Sequence, residues 1–238
     1  SASMPRVAKT MRRHALGVLV VHDWRNSSPA ATVLAAGDGS VVQSVAAAHV
    51  DLWVNDGALS TDGSVYAYAG LDVESKVRVV DATDGATIYE NLAANLEGVA
   101  FMPNGDALFA GRDGFERVDT ATGTLANSGS GPPVESRQIA VAAGGTVYAN
   151  ASRYWVAGYT VYAGPVGGPA AWSNDIGAKR NACALATDDS RVVVGGAADG
   201  SGNVAEVYDA ATGALLFSIP GSTELEPGAV AVFPQGGS

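Results

Sequence analysis

The chain repeats itself about every 45 residues, and this repeat limits the folds it can adopt more than any other feature. A corner rich in Asp and Ala, followed by a small-residue turn and a short strand, occurs five times. The turn glycines of these corners are 38 to 46 residues apart and are Gly39, Gly85, Gly123, Gly168 and Gly213. Internal periods of this length are typical of solenoids and propellers.

A second pattern lies between the corners and consists of an alternating strand, a tight turn and another strand. It reads "ALSTDGSVYAYAG", "VAFMPNGDALFAG", "IAVAAGGTVYAN" and "ALATDDSRVVVGG", with turn positions at Gly63, Gly105, Gly145 and Ser190. Such turns between alternating apolar residues indicate β-hairpins. Each repeat therefore supplies four antiparallel strands, A to D. Since a lone sheet cannot bury both faces, the pattern predicts an all-β, five-bladed β-propeller.

The end of the sequence matches the start of a repeat. Residues 229–238, "AVAVFPQGGS", align with the A strands of the other repeats. The B strand that would follow this A strand is Ala15–Val21, at the other end of the chain. We therefore expect the C-terminal strand to pair with the N-terminal strands and close the ring. This assignment makes residues 15–238 a single propeller domain and residues 1–14 a basic N-terminal arm. Residues 1–3, ahead of Met4, look like a cloning remnant.

Three of the corners resemble a known group of repeats. "VRVVDATDGATI", "ERVDTATGTL" and "AEVYDAATGALL" are similar to the repeats of the YVTN and PQQ-like propellers, a group whose blades are WD40-like in size. The resemblance implies a propeller architecture and no particular activity, because that group includes surface-layer proteins, quinoprotein dehydrogenases and scaffolds. We expect Asp81, Asp119 and Asp209 to cap the corner turns rather than to bind a ligand.

The net charge and the cysteine content indicate which classes of partner and which disulfides can be expected. The net charge of −10 disfavours nucleic acid and anionic membranes, although the basic arm leaves a nucleic-acid contact as an alternative. The apolar run "ALGVLVV" is too short to cross a bilayer. Cys183 is the one cysteine, so the chain forms no internal disulfide, and we expect its thiol to be buried rather than nucleophilic. The compartment stays open between a bacterial extracytoplasmic and a cytoplasmic location.

Aromatic residues concentrate in the loops expected at one face of the ring. The connections from B to C and from D to A strands share that face, where propeller ligands usually bind. Candidate stacking residues there are Trp24, Trp53, Tyr154 and Trp155, with His22 beside them. Exposed rings next to charges suit sugars, aromatic ligands or peptides. The alternative is that these rings only cover the ends of neighbouring blades.

Polar residues at the starts of the A strands would surround the same channel mouth. We expect Arg137, Arg180, Glu97 and Glu135 to orient a ligand. An alternative is a hydrolase or lyase of glycoside-hydrolase type, since glycosidic cleavage needs two carboxyl groups about 5–10 Å apart. The carboxylates that could form such a pair are Asp56, Glu97, Glu135 and Glu226.

Metal and cofactor signals are weak. The three histidines form no ligand motif, so we predict no zinc site and no organic cofactor. Oxygen-rich segments at 188–190 and 199–203 leave Ca²⁺ as an alternative. The sequence thus favours a monomeric, non-catalytic binding or scaffold propeller that recognises a small polar ligand, a glycan or a protein segment.

Overall fold

A computed structural model shows five sheets, each of four antiparallel strands that follow one another along the chain. It describes residues 8–22, 29–46, 53–71, 76–130, 136–152, 159–176, 180–196 and 203–221. Strands of the first two sheets are β1 (Ala8–His14), β2 (Gly17–His22), β3 (Ala31–Leu34), β4 (Val41–Ser44), β5 (Trp53–Leu59), β6 (Val65–Leu71), β7 (Lys76–Asp81) and β8 (Thr87–Asn91). Those of the third are β9 (Leu96–Phe101), β10 (Ala107–Gly111), β11 (Gly114–Asp119) and β12 (Thr124–Gly129).

The last two sheets repeat the pattern. Their strands are β13 (Ser136–Val141), β14 (Val147–Ser152), β15 (Tyr159–Gly164), β16 (Trp172–Ile176), β17 (Arg180–Leu185), β18 (Arg191–Gly196), β19 (Asn203–Asp209) and β20 (Leu215–Pro220). The predicted all-β, five-bladed β-propeller is confirmed, with each sheet as one blade. Within the described residues, no helix is long and apolar enough to cross a membrane.

Apolar side chains fill the spaces between successive blades. Tyr66 and Tyr68 of β6 stack at 5.6 Å between ring centroids and join the core between the first and second blades. Phe109 is buried between the second and third blades. Tyr148 and Tyr208 occupy the core between the fourth and fifth. Both faces of a central strand are therefore buried, as radial packing requires.

The innermost strand of the first blade differs from the prediction. The edge of β2 that was assigned to the C-terminal segment is paired with β1, from Ala8 opposite His22 to His14 opposite Gly17. Residues 8–14 are therefore part of a blade, and the basic arm predicted for residues 1–14 is wrong over that range. Residues 229–238 lie outside the described residues.

The physical reason is chain connectivity. Two residues join β1 to β2, so this hairpin closes with little loss of chain entropy, whereas a C-terminal strand would close a loop of about 200 residues. The sequence "AKTMRRH" lacks the alternation of apolar residues by which the other inner strands were found. Backbone pairing with β2 does not require that alternation.

The corner turns follow the sequence closely. Asp81 accepts hydrogen bonds from the amides of Thr83 and Asp84, and Asp119 and Asp209 each accept two in the same way. The predicted capping role is thus confirmed. The fourth corner places its left-handed glycine at Gly167, with φ of 70°, rather than at the predicted Gly168.

Candidate functional site

The antiparallel order of the strands brings one end of every blade to the same rim. Inner strands β5, β9, β13 and β17 begin there, and β2 ends there, because His22 pairs with Ala8 at the start of β1. We call this end the top rim. The backbones of five predicted ligand-binding residues lie at it: His22, Trp53, Glu97, Arg137 and Arg180. The repeat predicts this placement, although the five residues belong to strands that are far apart in sequence.

Several predicted top-rim residues are not among those that the structure describes. Trp24, Tyr154, Trp155, Glu135 and Glu226 lie outside the described residues. For His22, Trp53, Arg137 and Arg180 the structure describes the strand position and not the side chain. The side chains of Asp56 and Glu97 are described and are both buried.

Asp56 links two neighbouring blades. It is completely buried in β5. One carboxylate oxygen accepts a hydrogen bond of 3.0 Å from the amide of Gly57, and the other accepts one of 3.0 Å from the amide of Val99 in β9. A buried carboxylate held by two main-chain donors is a structural bridge. Asp56 is one of the four carboxylates named for the alternative hydrolase, and its two main-chain contacts are those of a structural residue.

Gln138 makes the equivalent link two blades further on. It lies three residues before the end of β13, as Asp56 does in β5, and it is also buried. Its amide oxygen accepts a 3.3 Å hydrogen bond from the amide of Cys183 in β17. The Cys183 thiol is buried and lies 3.8 Å from the carbonyl oxygen of Tyr148. The sequence correctly predicted a buried cysteine but did not detect the link.

Glu97 lies where the third blade closes tightly at the top rim. The main chain before β9 packs on Gly111, where an added Cβ would lie 2.6 Å from the carbonyl oxygen of Asn95 and 2.8 Å from the amide nitrogen of Glu97. The amide of Arg112 donates a 2.9 Å hydrogen bond to the same Asn95 oxygen. Glycine is required at this close approach. This close packing holds the backbone of Glu97 in place, and the residue itself is 8 % exposed.

In the described part of the chain, the carboxyl groups with a shifted pKa lie in turns. Hydrogen bonds from neighbouring backbone and hydroxyl groups lower the pKa of Asp38, Asp62, Asp81, Asp119, Asp188 and Asp209. A general acid for glycoside cleavage needs a pKa shifted the other way. These shifts therefore reflect turn geometry and do not mark a catalytic centre.

Metal ligation finds little support in the described part of the chain. No group of three or more His, Cys, Asp or Glu side chains in the described residues is arranged to hold an ion. In the segment suggested for Ca²⁺, one Asp188 oxygen accepts hydrogen bonds from the amide and hydroxyl of Ser190, at 3.1 and 2.7 Å. That is the pattern of a turn cap. Residues 199–202 of the other segment lie outside the described residues.

A cavity at the opposite end of the blades was not predicted from the sequence. It lies at the ends of the inner strands β1, β5, β9 and β13, and we call that end the bottom rim. Its apolar lining residues read in the sequence as ordinary strand ends. The signal that could have revealed it is an apolar residue at the last position of successive A strands.

Comparison with known proteins defines the fold class. No protein-family model and no curated protein matches the chain. Among solved structures it resembles hydrazine synthase from Kuenenia stuttgartiensis, with 15 % identity over 92 % of this chain and 69 % of that one, at a TM-score of 0.67. It also resembles the Cps50 (Swd1) β-propeller domain from Myceliophteria thermophila, with 12 % identity over 96 % of this chain and 77 % of that one, at a TM-score of 0.69. Both likenesses establish the β-propeller fold.

Proposed function

We propose that this chain is a non-catalytic binding or scaffold propeller whose top rim recognises a small polar ligand, a glycan or a protein segment. The observation that carries the proposal is the engagement of Asp56. Both of its oxygens accept main-chain hydrogen bonds in a buried position, one of them from the next blade, which supports a structural role for this carboxylate in holding neighbouring blades together. A rigid ring with a rim assembled from several blades suits recognition.

At the top rim, aromatic side chains would stack on the ligand and charged side chains would bind its polar groups. Trp24, Trp53, Tyr154 and Trp155 supply stacking surfaces, with His22 beside them. Arg137, Arg180, Glu97 and Glu135 orient the polar groups of the ligand. We expect the protein to act as a monomer, which light scattering on a sizing column can check.

The test is a binding screen with matched variants. Soluble oligosaccharides and short peptides are titrated into the protein by calorimetry, and any bound probe is measured again with Trp155→Ala and Trp155→Phe. Loss of the ring should weaken binding by about tenfold, and Phe should retain most of the affinity because it keeps a stacking face. Equal affinity of all three proteins would contradict the stacking role.

An activity assay on the same probes distinguishes a binding protein from an enzyme. Product release by the unaltered protein that disappears in the double variant Glu97→Gln, Glu135→Gln would overturn the non-catalytic assignment. Unchanged probes after long incubation are the expected result, together with a loss of affinity in that variant that is smaller than the loss in Trp155→Ala.

A further inference from the structure

The junction between the fifth blade and the first, which we call the seam, differs from the four other junctions of the ring. At each of those four, buried apolar side chains from both blades form a shared core cluster. Among the described residues, no such cluster joins the fifth blade to the first. The inner strands of the other neighbouring blades pack on each other, and β17 has no comparable packing on β1.

The fifth blade has a continuous row of apolar residues on the face that points away from the fourth blade. We call it the fifth-blade row. It crosses all four strands through cross-strand pairs and consists of Ala184, Val193, Val207 and Phe217. Val192 and Val194 alternate with Val193 along β18 and are buried in the core shared with the fourth blade. Because successive residues of a strand point to opposite faces, the fifth-blade row borders the seam.

The equivalent row of the second blade is packed. It is joined by the same cross-strand pairs and consists of Ala58, Ala67, Val79 and Tyr89. Its alanines and valine are at most 6 % exposed in the core between the second and third blades, and the Tyr89 hydroxyl donates a 3.1 Å hydrogen bond to Glu116 of the third blade. In the fifth-blade row, by contrast, Phe217 is 50 % exposed and Val193 is half-buried. The same arrangement of residues is therefore less covered at the seam.

The first blade borders the seam with a second apolar row. We call it the first-blade row, and it consists of Val18, Leu34 and Val41, which are paired across β2, β3 and β4. Leu19 and Val33, the strand neighbours of Val18 and Leu34, are buried in the core shared with the second blade, so the first-blade row points the other way. Val41 is 63 % exposed, and the other two residues are half-buried.

Exposed apolar residues are concentrated on the outer strands of these two blades. Six of the nine large apolar residues that are exposed in the described part of the chain belong to β4 and β20. Single exposed apolar residues are ordinary, but a concentration of them marks a surface on which another segment or molecule packs. The seam and its outer edges therefore form an apolar surface that can accept an occupant.

The sequence that follows β20 has the pattern that such a space requires. Residues 229–233 read "AVAVF", so both alternating faces of this run are apolar when it is extended. A strand with one face in water has polar residues at every second position, whereas a short continuous apolar run is typical of a chain buried on both sides. The seam has one apolar row on each side.

The run is also close to the seam along the chain. β20 ends at Pro220 in the fifth blade, and the run begins nine residues later at Ala229. Nine residues can extend to about 30 Å, while the four strands of a blade span about 15 Å. The linker can therefore reach any depth of the seam. Covalent attachment gives the run an effective concentration in the millimolar range, which favours it over a second copy of the chain.

We propose that residues 229–233 occupy the seam and pack one face against the fifth-blade row and the other against the first-blade row. The end of the chain then joins the last blade to the first through side-chain packing, while β1 keeps its place beside β2. The seam lies between two blade faces, so its occupancy is independent of the ligand recognition proposed for the top rim.

Methyl NMR on the full chain tests which segment fills the seam. Val230 and Val232 share one face of an extended run and should show contacts to methyl groups of one row, and the ring protons of Phe233 should show contacts to the other. Mixed labelled and unlabelled protein distinguishes contacts within one molecule from contacts between two. Contacts to the rows only between molecules would mean that a second copy fills the seam. That result, or no contact from the run to either row, would overturn the proposal.

A charge variant with a matched control tests the same packing by stability. Val232→Asp places a carboxylate against an apolar row and should lower the unfolding temperature by about 5 °C or more. Gln235→Asp adds the same charge beyond the run and should change that temperature by no more than about 1 °C. An unfolding temperature of Val232→Asp equal to that of Gln235→Asp would contradict the proposal.

Val232→Thr replaces the aspartate variant if the latter does not fold. It keeps nearly the same volume and adds a hydroxyl, and it should lower the unfolding temperature by about 2 °C. No loss in Val232→Thr relative to the unaltered protein would likewise count against a buried position for this residue.

Discussion

At the scale of the residue, aspartate side chains perform two different structural roles in this protein. The corner aspartates are half-buried and cap turns through donors within three residues of themselves. Asp56 is buried and binds the amide of Val99, which lies 43 residues away. Sequence patterns predicted the first role because turn caps are local. They could not predict the second, since the donor comes from another blade.

Removal of the Asp56 carboxylate should destabilise the protein strongly. Asp56→Ala leaves the amides of Gly57 and Val99 without this acceptor in a buried place, at a cost of about 2–4 kcal/mol in the free energy of unfolding. Asp56→Asn should cost less, because one amide oxygen still accepts. Urea unfolding measures both values.

The matched control is Asp113→Ala, which removes a carboxylate from an exposed turn of the third blade. We expect a change within about 0.5 kcal/mol. A loss of similar size in Asp56→Ala and Asp113→Ala would contradict the bridging role.

Asp62 should titrate at unusually low pH. Its Oδ1 accepts hydrogen bonds from the hydroxyls of Ser60 and Ser64 and from the Ser64 amide, and they lower its pKa from 3.8 to about 2. Because the folded pKa is depressed, the stabilisation is present above pH 3.8 and is lost as the pH falls towards 2. Carboxyl NMR titration should show this, and Ser60→Ala should raise the Asp62 pKa. A midpoint near 3.8 in the unaltered protein would refute the assignment.

At the scale of the element, the hairpin turns between A and B strands share one backbone conformation. Gly63, Gly105 and Gly145 all have positive φ, and in the fifth blade Asp189 takes this position with φ of 56°. The sequence alignment had placed Ser190 there. Aspartate tolerates the left-handed region better than most residues, so the segment "DDS" does not reveal which residue adopts it. The Asp189 carboxylate also accepts a 2.7 Å hydrogen bond from the amide of Ala143, in the turn of the preceding blade.

Two adjacent glycines allow the turn conformation to be tested without steric interference. An added Cβ meets nothing within 4 Å at either Gly144 or Gly145, but only Gly145 has positive φ, at 83°. Gly145→Ala should therefore lower stability by about 1 kcal/mol. Gly144→Ala should be neutral or slightly stabilising, because it restricts the unfolded chain. Thermal unfolding compares the two, and equal effects would refute the conformational argument.

At the scale of the whole molecule, the repeat predicted the number of blades, the strands within each and the rim at which loops from different blades meet. These features follow from local turns and alternation, which a sequence displays directly. The innermost strand of the first blade does not follow from them, because "AKTMRRH" lacks the apolar alternation of β5 or β9. The cavity at the bottom rim also escaped prediction, since it depends on how strand ends of four blades converge.

The most direct test of this account is the identity of the strand beside β2. Cross-strand NMR contacts of the β2 backbone should join Leu19 to Arg12 and Val21 to Thr10, as the β1–β2 register requires. Contacts from Leu19 and Val21 to residues 229–233 in place of those to β1 would show that the C-terminal segment completes the first blade, and would contradict the fold described above.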